Sequence, residues 1–327
     1  MTASREIHLI KRPLGVPEPD DFTVVEVVTA DAGDGEIQVR NLIMSVDPYM
    51  RPRLNADQAM NEAMIGGGIG RVVQSRNVKF RDGDLVRHGA GMRELFVSDG
   101  TGVSVLKPDP TLPLTVYMHA LGGTGMTAYG GLLEVGRLAE GEQVFVSTAA
   151  GAVGSVAAQI AKIKGCTVVG STGSDAKAAW LRDEAKLDAV INYKTQPLRA
   201  ALTAATPKGI DVYFENVGGA HLDAALTRMN VNGRIPVCGM ISTYNGGGES
   251  VSGLFNLIYR RVTMQGFVGG DFPHLREAFV ADMTSWLKDG RIKYQETILD
   301  GFERAPEGLI GLFEGRNAGK MLIRIAE

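Results

Sequence analysis

The stretch of sequence that decides the fold is Val144-Phe145-Val146-Ser147-Thr148-Ala149-Ala150-Gly151-Ala152-Val153-Gly154-Ser155. Its first residues are apolar and predict a buried strand, its middle is a turn of small residues, and an amphipathic helix is predicted to begin at Ala152. Against the dinucleotide-binding fingerprint GxGxxG, Ala149 stands where the first glycine is expected, and Gly151 and Gly154 supply the other two.

The residue types in this turn suit a bound pyrophosphate. Gly151 lets the backbone approach the phosphates, Gly154 lets the helix pack closely on its strand, and Ala152 and Val153 begin a helix whose N-terminus offers free N–H groups. We therefore interpret these four residues as cofactor-binding. Because the first glycine is missing, a tight turn in an α/β domain without a cofactor stays open as an alternative.

On both sides of the turn, strands and helices alternate at lengths typical of βαβ units, which predicts a doubly wound parallel sheet. The predicted strands are Gln143–Thr148, Cys166–Ser171, Ala189–Tyr193, Asp211–Phe214, Arg234–Cys238 and Val262–Phe267. The predicted helices are Ala152–Lys164, Lys177–Ala185, Gln196–Ala205, His221–Met229 and Leu275–Asp289.

The two ends of the chain have a different pattern. Short β-rich segments at Phe22–Thr29, Glu36–Val46, Gly70–Ser75 and Val103–Lys107 predict a compact β-domain. Lys320–Ile325 alternates between apolar and polar residues, as an antiparallel strand does, and is expected to return to that domain. The sequence thus predicts one domain from residues 1–118 and 290–327, and a Rossmann domain from residues 119–289.

Composition and charge exclude several classes of protein. The 327 residues suggest about two domains, and a net charge of −3 argues against a nucleic-acid-binding surface. No apolar stretch is long enough to predict a membrane span, and the N-terminus does not resemble a signal peptide. Cys166 and Cys238 are the only cysteines, which suits a reducing cytoplasm.

The end of the second predicted strand favours NADP over NAD. An NAD-binding domain usually has Asp or Glu there to bind the ribose 2′-hydroxyl. This chain has the uncharged Gly170-Ser171-Thr172, and Lys177 follows where it could pair with a 2′-phosphate. Asp175 is interpreted as the N-cap of the next helix, and a solvated lysine is the alternative for Lys177.

No local cluster of residues predicts a metal site. The five histidines have no HxxxH or HExxH spacing, and neither cysteine belongs to a CxxC pair. A cluster formed by distant histidines is the alternative. Without a Lewis acid to stabilise an alkoxide, reduction of an activated alkene fits better than oxidation of an alcohol.

Several ordered blocks carry a resemblance to a known family. They are Ser45-Val46-Asp47-Pro48-Tyr49-Met50-Arg51, Gly125-Met126-Thr127-Ala128-Tyr129, the glycine turn, Asn192-Tyr193-Lys194, Glu215-Asn216-Val217-Gly218-Gly219, Cys238-Gly239-Met240-Ile241-Ser242-Thr243-Tyr244-Asn245, Ile258-Tyr259-Arg260-Arg261, Gln265-Gly266-Phe267-Val268 and Gly315-Arg316-Asn317-Ala318-Gly319-Lys320. Together they resemble the zinc-independent medium-chain dehydrogenases/reductases. The most similar branch contains prostaglandin reductases (leukotriene B4 12-hydroxydehydrogenases), alkenal double-bond reductases and curcumin-reductase-like enzymes.

The resemblance implies a GroES-like β-domain beside a Rossmann domain, an active site in the cleft between them, and a homodimer. It implies NADPH, bound by Gly151, Gly154, Lys177, Tyr193, Asn216 and Asn317, with Cys238, Gly239, Ser242, Phe267, Val268 and Gly269 on the nicotinamide side. Gly269 stands where the family pattern leads us to expect a bulky residue, which predicts a wider pocket.

Tyrosines are the candidate catalytic groups, because a phenol can donate a hydrogen bond to an enolate oxygen. Tyr259 matches the family's substrate-side tyrosine, and Tyr49 follows a turn expected to face the cleft. Tyr244 and Met126 are further candidates for contact with substrate. Ordinary packing is the alternative for each of the four. Arg51, Arg260 and Arg261 are interpreted as charges on the surface or at a dimer interface.

These observations predict an NADPH-dependent reductase that acts on the carbon–carbon double bond of α,β-unsaturated ketones or aldehydes. Hydride addition to such a substrate produces a delocalised enolate, which needs a hydrogen-bond donor rather than a metal. The alternatives are a quinone reductase or zinc-free alcohol dehydrogenase of the same fold, and a cofactor-binding protein without turnover.

Overall fold

A computed structural model describes residues 1–248 and 250–325. Its strands are β1 (Thr2–Leu9), β2 (Phe22–Thr29), β3 (Ile37–Val46), β4 (Gly68–Ser75), β5 (Leu85–His88), β6 (Leu95–Ser98), β7 (Ser104–Val105), β8 (Gln143–Val146), β9 (Thr167–Thr172), β10 (Ala189–Asn192), β11 (Ile210–Phe214), β12 (Met229–Val237), β13 (Thr263–Gly266), β14 (Glu296–Asp300) and β15 (Lys320–Arg324). Its α-helices are α1 (Met50–Asn55), α2 (Gly123–Gly130), α3 (Ala152–Ile163), α4 (Asp175–Asp183), α5 (Leu198–Ala205), α6 (Gly219–Leu226), α7 (Asn256–Arg260), α8 (Arg276–Lys288) and α9 (Ala305–Glu314). Within those residue ranges, no helix has the length and apolar character that a membrane crossing requires.

The chain divides into two compact units. The first unit contains Met1–Met118, Glu296–Asn317 and the residues from Met321 onward, and the second contains His119–Gln295 and Ala318–Lys320. Each unit has its own sheet and its own buried apolar cluster.

The second unit is built on a parallel sheet of six strands in the order β10-β9-β8-β11-β12-β13. The strand order reverses between β8 and β11, so the carboxyl ends of these two strands mark the switch point where doubly wound sheets bind ligands. The predicted α/β fold with a doubly wound parallel sheet is thus confirmed.

The central strand β8 is apolar because it is covered on both faces, and all of its residues are buried. Phe145 of β8 stacks on Tyr213 of β11 with ring centroids 4.9 Å apart. Helix α3 buries eight consecutive residues from Gly154 to Ala161. A parallel sheet between two layers therefore explains the continuous apolar runs of the sequence.

The first unit contains a seven-stranded sheet, in which β14-β15-β3-β4-β5-β7 are successive neighbours and β6 also pairs with β3, and a separate β1–β2 pair. β15 pairs antiparallel with β3, matching Met321 with Val46 and Ile323 with Met44. This confirms the antiparallel strand predicted from the alternation at the end of the chain. The unit is the β-rich, GroES-like domain expected from the sequence.

The interpretation of Arg51 as a surface or interface charge is wrong. Arg51 is only 2% exposed. Its guanidinium donates hydrogen bonds to the carbonyl oxygens of Gly15, at 2.7 Å, and Pro13, at 3.2 Å. Guanidinium donors can satisfy several backbone carbonyls at once, so this arginine fastens the Pro13–Gly15 segment to α1.

Candidate active site

The glycine turn joins β8 to α3. The Gly151 N–H donates to the Thr148 carbonyl oxygen at 2.9 Å, and a Cβ atom added at Gly154 would lie only 2.3 Å from that same oxygen. A Cβ atom at Gly151 would lie 3.2 Å from it, also closer than usual. Gly154 is therefore required for space, since any side chain there would displace the turn, whereas a side chain at Gly151 would need a smaller adjustment.

This turn fits a pyrophosphate. Gly151 is the N-cap of α3 and provides no side-chain cap, so the N–H groups of Ala152, Val153 and Gly154 at the helix start have no partner within the helix. A twelve-residue helix also directs its positive dipole end to this point. The turn is further fixed from the end of the chain, because the Gly319 N–H donates to the Ala150 carbonyl oxygen at 3.0 Å.

The end of β9 lies next to the turn, since the Ala149 N–H donates to the Ser171 carbonyl oxygen at 2.8 Å. The N-cap of α4 is Ser174, whose hydroxyl accepts from the Lys177 N–H at 3.3 Å, so the interpretation of Asp175 as the N-cap is wrong. Asp175 is the first helical residue, and its carboxylate accepts instead from the Asn192 side chain at 2.6 Å.

Two lysines approach each other at this edge of the sheet. Burial lowers the pKa of Lys177, and the positive charge of Lys194 lowers it further. Lys194 also extends along Gly173, where an added Cβ atom would lie 3.4 Å from its Cε. The sequence singled out Lys177 but missed Lys194. Only the register of β10 against β9 brings Lys194 here, and an anion between the two ammonium groups would relieve their repulsion.

Tyr193 lies beside Gly173, at the same edge of the sheet as the two lysines. A Cβ atom added at Gly173 would lie 2.8 Å from its hydroxyl oxygen. The edge of the Tyr193 ring packs against His221, with ring centroids 5.0 Å apart. Burial lowers the pKa of His221 to about 4, so this imidazole is neutral near pH 7 and supports Tyr193 as a packing partner.

Asn216 lies at the switch point between β8 and β11. Its backbone N–H donates to the Ser147 hydroxyl at 2.9 Å, and its side-chain amide donates to the Ser147 carbonyl oxygen at 2.7 Å. The sequence identified Asn216 but not Ser147 or the neighbouring Glu215, which form the same network. Buried hydroxyl and carboxyl groups give no sequence pattern until the fold shows what they contact.

The turn after β12 is joined to the same place. The N–H groups of Cys238 and Gly239 both donate to the Glu215 carbonyl oxygen, at 2.8 and 3.2 Å, and the Ser242 hydroxyl donates to the Val217 carbonyl oxygen at 2.6 Å. Burial raises the pKa of the Cys238 thiol to about 12, so it is not a thiolate near pH 7. The Tyr244 hydroxyl accepts from the Met240 N–H at 3.2 Å, and its ring folds back over this turn.

The segment that follows β13 packs against the body of the second unit. The Phe267 ring lies between Phe214 and Phe272, with centroid distances of 6.0 and 5.7 Å, whereas Val268 is 65% exposed. A Cβ atom at Gly269 would lie 2.4 Å from the Thr127 hydroxyl oxygen. This glycine allows a close approach to α2, and a wider pocket at Gly269 stays a prediction.

The substrate-side candidates differ in exposure. Tyr259 is 71% exposed on α7, where its ring edge faces Phe255 at 6.1 Å, whereas Met126 of α2 is 7% exposed and lies in the core. In the first unit, Tyr49 is 46% exposed in the turn before α1. Desolvation, and then the negative charge of Asp47, raises the pKa of Tyr49 to about 12. Asn317 is half-buried in the loop between α9 and β15.

Within the part of the chain that the structure describes, histidine, cysteine and carboxylate side chains do not cluster as metal ligands would. Across residues 1–248 and 250–325, no group of three such residues is close enough to hold a metal ion. His88, for example, makes a hydrogen bond of 2.5 Å with the Asn41 side chain, and burial lowers its pKa to about 4.

Two family models match the chain. Residues 5–106 match one described as the N-terminal domain of oxidoreductase, and residues 152–288 match one described as zinc-binding dehydrogenase. The second match begins at Ala152, the first residue of α3, and covers most of the second unit.

Known proteins resemble the chain over nearly all of its length. The 2-alkenal reductase (NADP(+)-dependent) of Nicotiana tabacum is 40% identical, covering 99% of this chain and 98% of the relative. The NADPH-dependent curcumin reductase of Escherichia coli is 37% identical, covering 99% and 97%. The crystal structure of CurA from Vibrio vulnificus in complex with NADPH superposes with a TM-score of 0.93 at 36% identity, covering 99% of both chains.

Proposed function

The chain belongs to the zinc-independent medium-chain dehydrogenases/reductases, in the branch of alkenal, curcumin and prostaglandin reductases, and from this premise we propose its reaction. It is an NADPH-dependent oxidoreductase that reduces the carbon–carbon double bond of α,β-unsaturated ketones or aldehydes. The observation that carries the cofactor half of the proposal is the pair of lysines, Lys177 and Lys194, beside the uncharged end of β9.

Different residues of the second unit would bind different parts of NADPH. Gly151, Ala152, Val153 and Gly154 would hold the pyrophosphate through the start of α3, because free N–H groups and a helix dipole favour an anion. Lys177 and Tyr193 would bind the 2′-phosphate, and Lys194 would add a second charge to the same group.

The nicotinamide end is proposed to lie at the switch point. Asn216 and the turn that contains Cys238, Gly239 and Ser242 are joined there by backbone hydrogen bonds. We assign Phe267, Val268 and Gly269 to the same end of the cofactor, and Asn317 to a further contact with it. When bound, NADPH supplies the hydride.

The substrate half of the proposal rests on the relatives and on simple chemistry. The alkenal reductase and the curcumin reductase are named for substrates with a carbonyl-conjugated double bond. Hydride addition to the β-carbon of such a substrate moves negative charge onto the carbonyl oxygen, which a hydrogen-bond donor stabilises. A proton must then reach the α-carbon, from water or from a tyrosine.

Tyr259 is proposed as the donor to that oxygen, and Tyr49 as the second candidate. The raised pKa of Tyr49 keeps its phenol protonated and able to donate across neutral pH. We assign Tyr244 and Met126 to the substrate side. For Met126, which is buried, contact with substrate would require α2 to shift or the side chain to line the floor of the site.

We propose a homodimer in which a second copy covers α7 and β13. Leu254, Phe255, Ile258 and Tyr259 are 45–75% exposed, although apolar and aromatic side chains favour burial. The four residues of β13, the last strand of the parallel sheet, are exposed as well. A second copy that covered α7 would also exclude water from Tyr259. The lower local dielectric would strengthen any hydrogen bond that the Tyr259 hydroxyl makes. Light scattering of Phe255→Asp should show a monomer where the unaltered chain is a dimer.

We also propose that the protein acts in the cytoplasm on a small molecule. The two cysteines are free thiols, as a reducing compartment would keep them. Burial raises the pKa of Cys166 to about 11, which protects this thiol further from oxidation.

The test of the proposed function is NADPH consumption over a panel of enals, enones and quinones, together with NADP+ reduction over a panel of allylic alcohols, with products identified by mass spectrometry. We expect turnover with enals and enones and a saturated carbonyl product. Turnover confined to quinones or alcohols would assign the chain to another reaction of the same fold. NADPH binding without turnover on any member would refute an enzymatic role.

A further inference from the structure

A carboxyl group is buried at the switch point of the parallel sheet. Glu215 follows β11 directly and has 0% of its surface exposed. Its Oε1 accepts hydrogen bonds from the Val217 N–H at 2.6 Å and from the Ser147 hydroxyl at 3.1 Å. Its Oε2 has no partner among the described residues, and burial raises the pKa of the group. Burial raises the pKa because a buried carboxylate is costly, whereas two hydrogen-bond donors, the Val217 N–H and the Tyr213 hydroxyl, act in the opposite direction.

Glu215 joins the ends of three parallel strands. Its side chain reaches Ser147, which follows β8, and its own carbonyl oxygen accepts from the N–H groups of Cys238 and Gly239, which follow β12. Asn216 adds two hydrogen bonds to Ser147. One residue thereby fixes the turns to which we have assigned the pyrophosphate and the nicotinamide.

The residue after Ser147 has an unfavourable backbone conformation. Thr148 has φ +50°, in the left-handed region, which a β-branched side chain adopts only when its surroundings require it. Its carbonyl oxygen is the one that accepts from the Gly151 N–H and leaves no room for a Cβ atom at Gly154. The shape of the glycine turn therefore depends on a strained residue whose neighbour, Ser147, is held by Glu215.

We propose that Glu215 is a positioning residue for the cofactor. Through Ser147 and the Asn216–Gly218 turn it keeps Thr148 in the left-handed conformation, and so gives the glycine turn the shape that receives the pyrophosphate. This inference rests on the proposed binding of NADPH and is independent of the alkene substrate.

The test measures NADPH affinity by fluorescence titration, without substrate, together with stability to urea. Glu215→Ala leaves the Val217 N–H without its acceptor and the Ser147 hydroxyl with only the longer contact to the Phe214 carbonyl oxygen, at 3.4 Å. We expect NADPH affinity to fall about 10-fold or more. Glu215→Gln keeps an acceptor oxygen in a neutral side chain, and its affinity should stay within about 3-fold of the unaltered protein. Adding Thr148→Gly to Glu215→Ala should restore affinity, because glycine adopts a positive φ without strain.

Asp211→Asn is the matched control. Asp211 of β11 joins the same three strands near their amino ends, since its carboxylate accepts from the Gln143 N–H of β8 at 2.8 Å and from the Asn230 side chain of β12 at 2.7 Å. Asp211→Asn should lower the free energy of unfolding and leave NADPH affinity unchanged. This result would separate a positioning role of Glu215 from a general loss of structure. If Glu215→Ala does not fold, Ser147→Ala takes its place, with the same loss of affinity expected.

Three results would overturn the inference. The first is unchanged NADPH affinity in Glu215→Ala, and the second is an equal loss of affinity in Asp211→Asn. The third is a low NADPH affinity in both Glu215→Gln and the double variant that combines Glu215→Ala with Thr148→Gly. A chain that binds NADPH tightly but reduces no enone would refute the proposed function and leave this test valid. The two failures are therefore distinguishable.

Discussion

The glycine turn and helix α7 belong to the same compact unit and differ in how their side chains are held. Around the turn, Ser147, Glu215 and Asn216 are buried or half-buried and joined by hydrogen bonds shorter than 3.2 Å. On α7 no residue is buried, and Tyr259 is 71% exposed. The residues around the turn are held by contacts within one chain, whereas Tyr259, the candidate donor on α7, is exposed to solvent in a single copy.

The difference explains where a single sequence is informative. A cofactor common to many enzymes requires the same close approach of backbone to phosphate, which leaves glycines at fixed spacing. A substrate surface has no such fixed requirement, since aromatic side chains serve packing, association and catalysis alike. Substitutions at the two places should therefore behave differently, and the largest effects are expected at the turn.

Gly154→Val should have the largest effect. Its Cβ atom would lie 2.3 Å from the Thr148 carbonyl oxygen, so the turn or α3 has to move. We expect NADPH affinity to fall by about 100-fold or more, and the free energy of unfolding to fall by about 1–3 kcal/mol, the usual cost of overpacking. Fluorescence titration and urea denaturation measure the two quantities.

Gly123→Ala is the control for that substitution. No atom lies within 4 Å of a Cβ added at Gly123, at the start of α2. Alanine is favoured over glycine in a helix, so stability should be equal or higher and NADPH affinity unchanged. Equal losses from both glycine substitutions would remove the distinction between the turn and the rest of the unit.

Tyr259→Phe tests the exposed side of the comparison. It keeps the ring and removes the hydroxyl, and loss of one oxyanion donor lowers kcat by about 10- to 100-fold when other donors remain. Stability and NADPH affinity should not change. Tyr129→Phe serves as the control, because that hydroxyl donates to the Asp282 carboxylate at 2.8 Å and should affect stability alone. Normal turnover in Tyr259→Phe would transfer the role to Tyr49, tested by the same substitution.

Lys177→Ala should have a smaller effect, confined to one cofactor. The ammonium group is half-buried and Lys194 stays beside it, so about a 10-fold rise in KM for NADPH is expected, with KM for NADH nearly unchanged. Lys194→Ala should act in the same direction, and the two effects should not add, because both charges address one phosphate. Equal changes for NADPH and NADH would refute the assignment of a 2′-phosphate site.

We expect kcat to change little with pH across the neutral and mildly alkaline range. Burial, together with the charge of Asp47, raises the pKa of Tyr49 to about 12, so its phenol loses its proton only in strong alkali. An ordinary tyrosine would be half-ionised at about pH 10. If Tyr49 donates to the substrate, kcat should therefore stay constant from about pH 7 to about pH 10. A loss of kcat near pH 10 that Tyr49→Phe abolishes would contradict this account of its environment.

The sequence predicted the parallel sheet because its strands are short apolar runs between amphipathic helices. The predicted helix Ala152–Lys164 corresponds to α3 (Ala152–Ile163), and the predicted strand Phe22–Thr29 is β2. The sequence pattern did not indicate β1, α2 or α7. Gly-rich α2 and the five-residue α7 have little helical pattern, and β1 obtains its partner from β2, across a long loop.

The errors at the site share a physical origin. Arg51 and Asp175 were interpreted from residue type, but each is determined by a tertiary contact. Arg51 donates to the carbonyl oxygens of Pro13 and Gly15, and Asp175 accepts from the Asn192 side chain. Lys194 and Glu215 were missed for the same reason. A charged or buried polar side chain acquires its role from what the fold brings beside it.

The central claim is hydride transfer from NADPH to a carbon–carbon double bond, and the fate of a labelled hydride tests it most directly. The protein would be incubated with NADPH carrying deuterium at the transferred position and a simple aliphatic enone, and the product examined by NMR. For hydride transfer to the double bond, we expect a saturated ketone with deuterium on the β-carbon and the carbonyl group intact. An allylic alcohol with deuterium on the carbon that bears the hydroxyl group would contradict it.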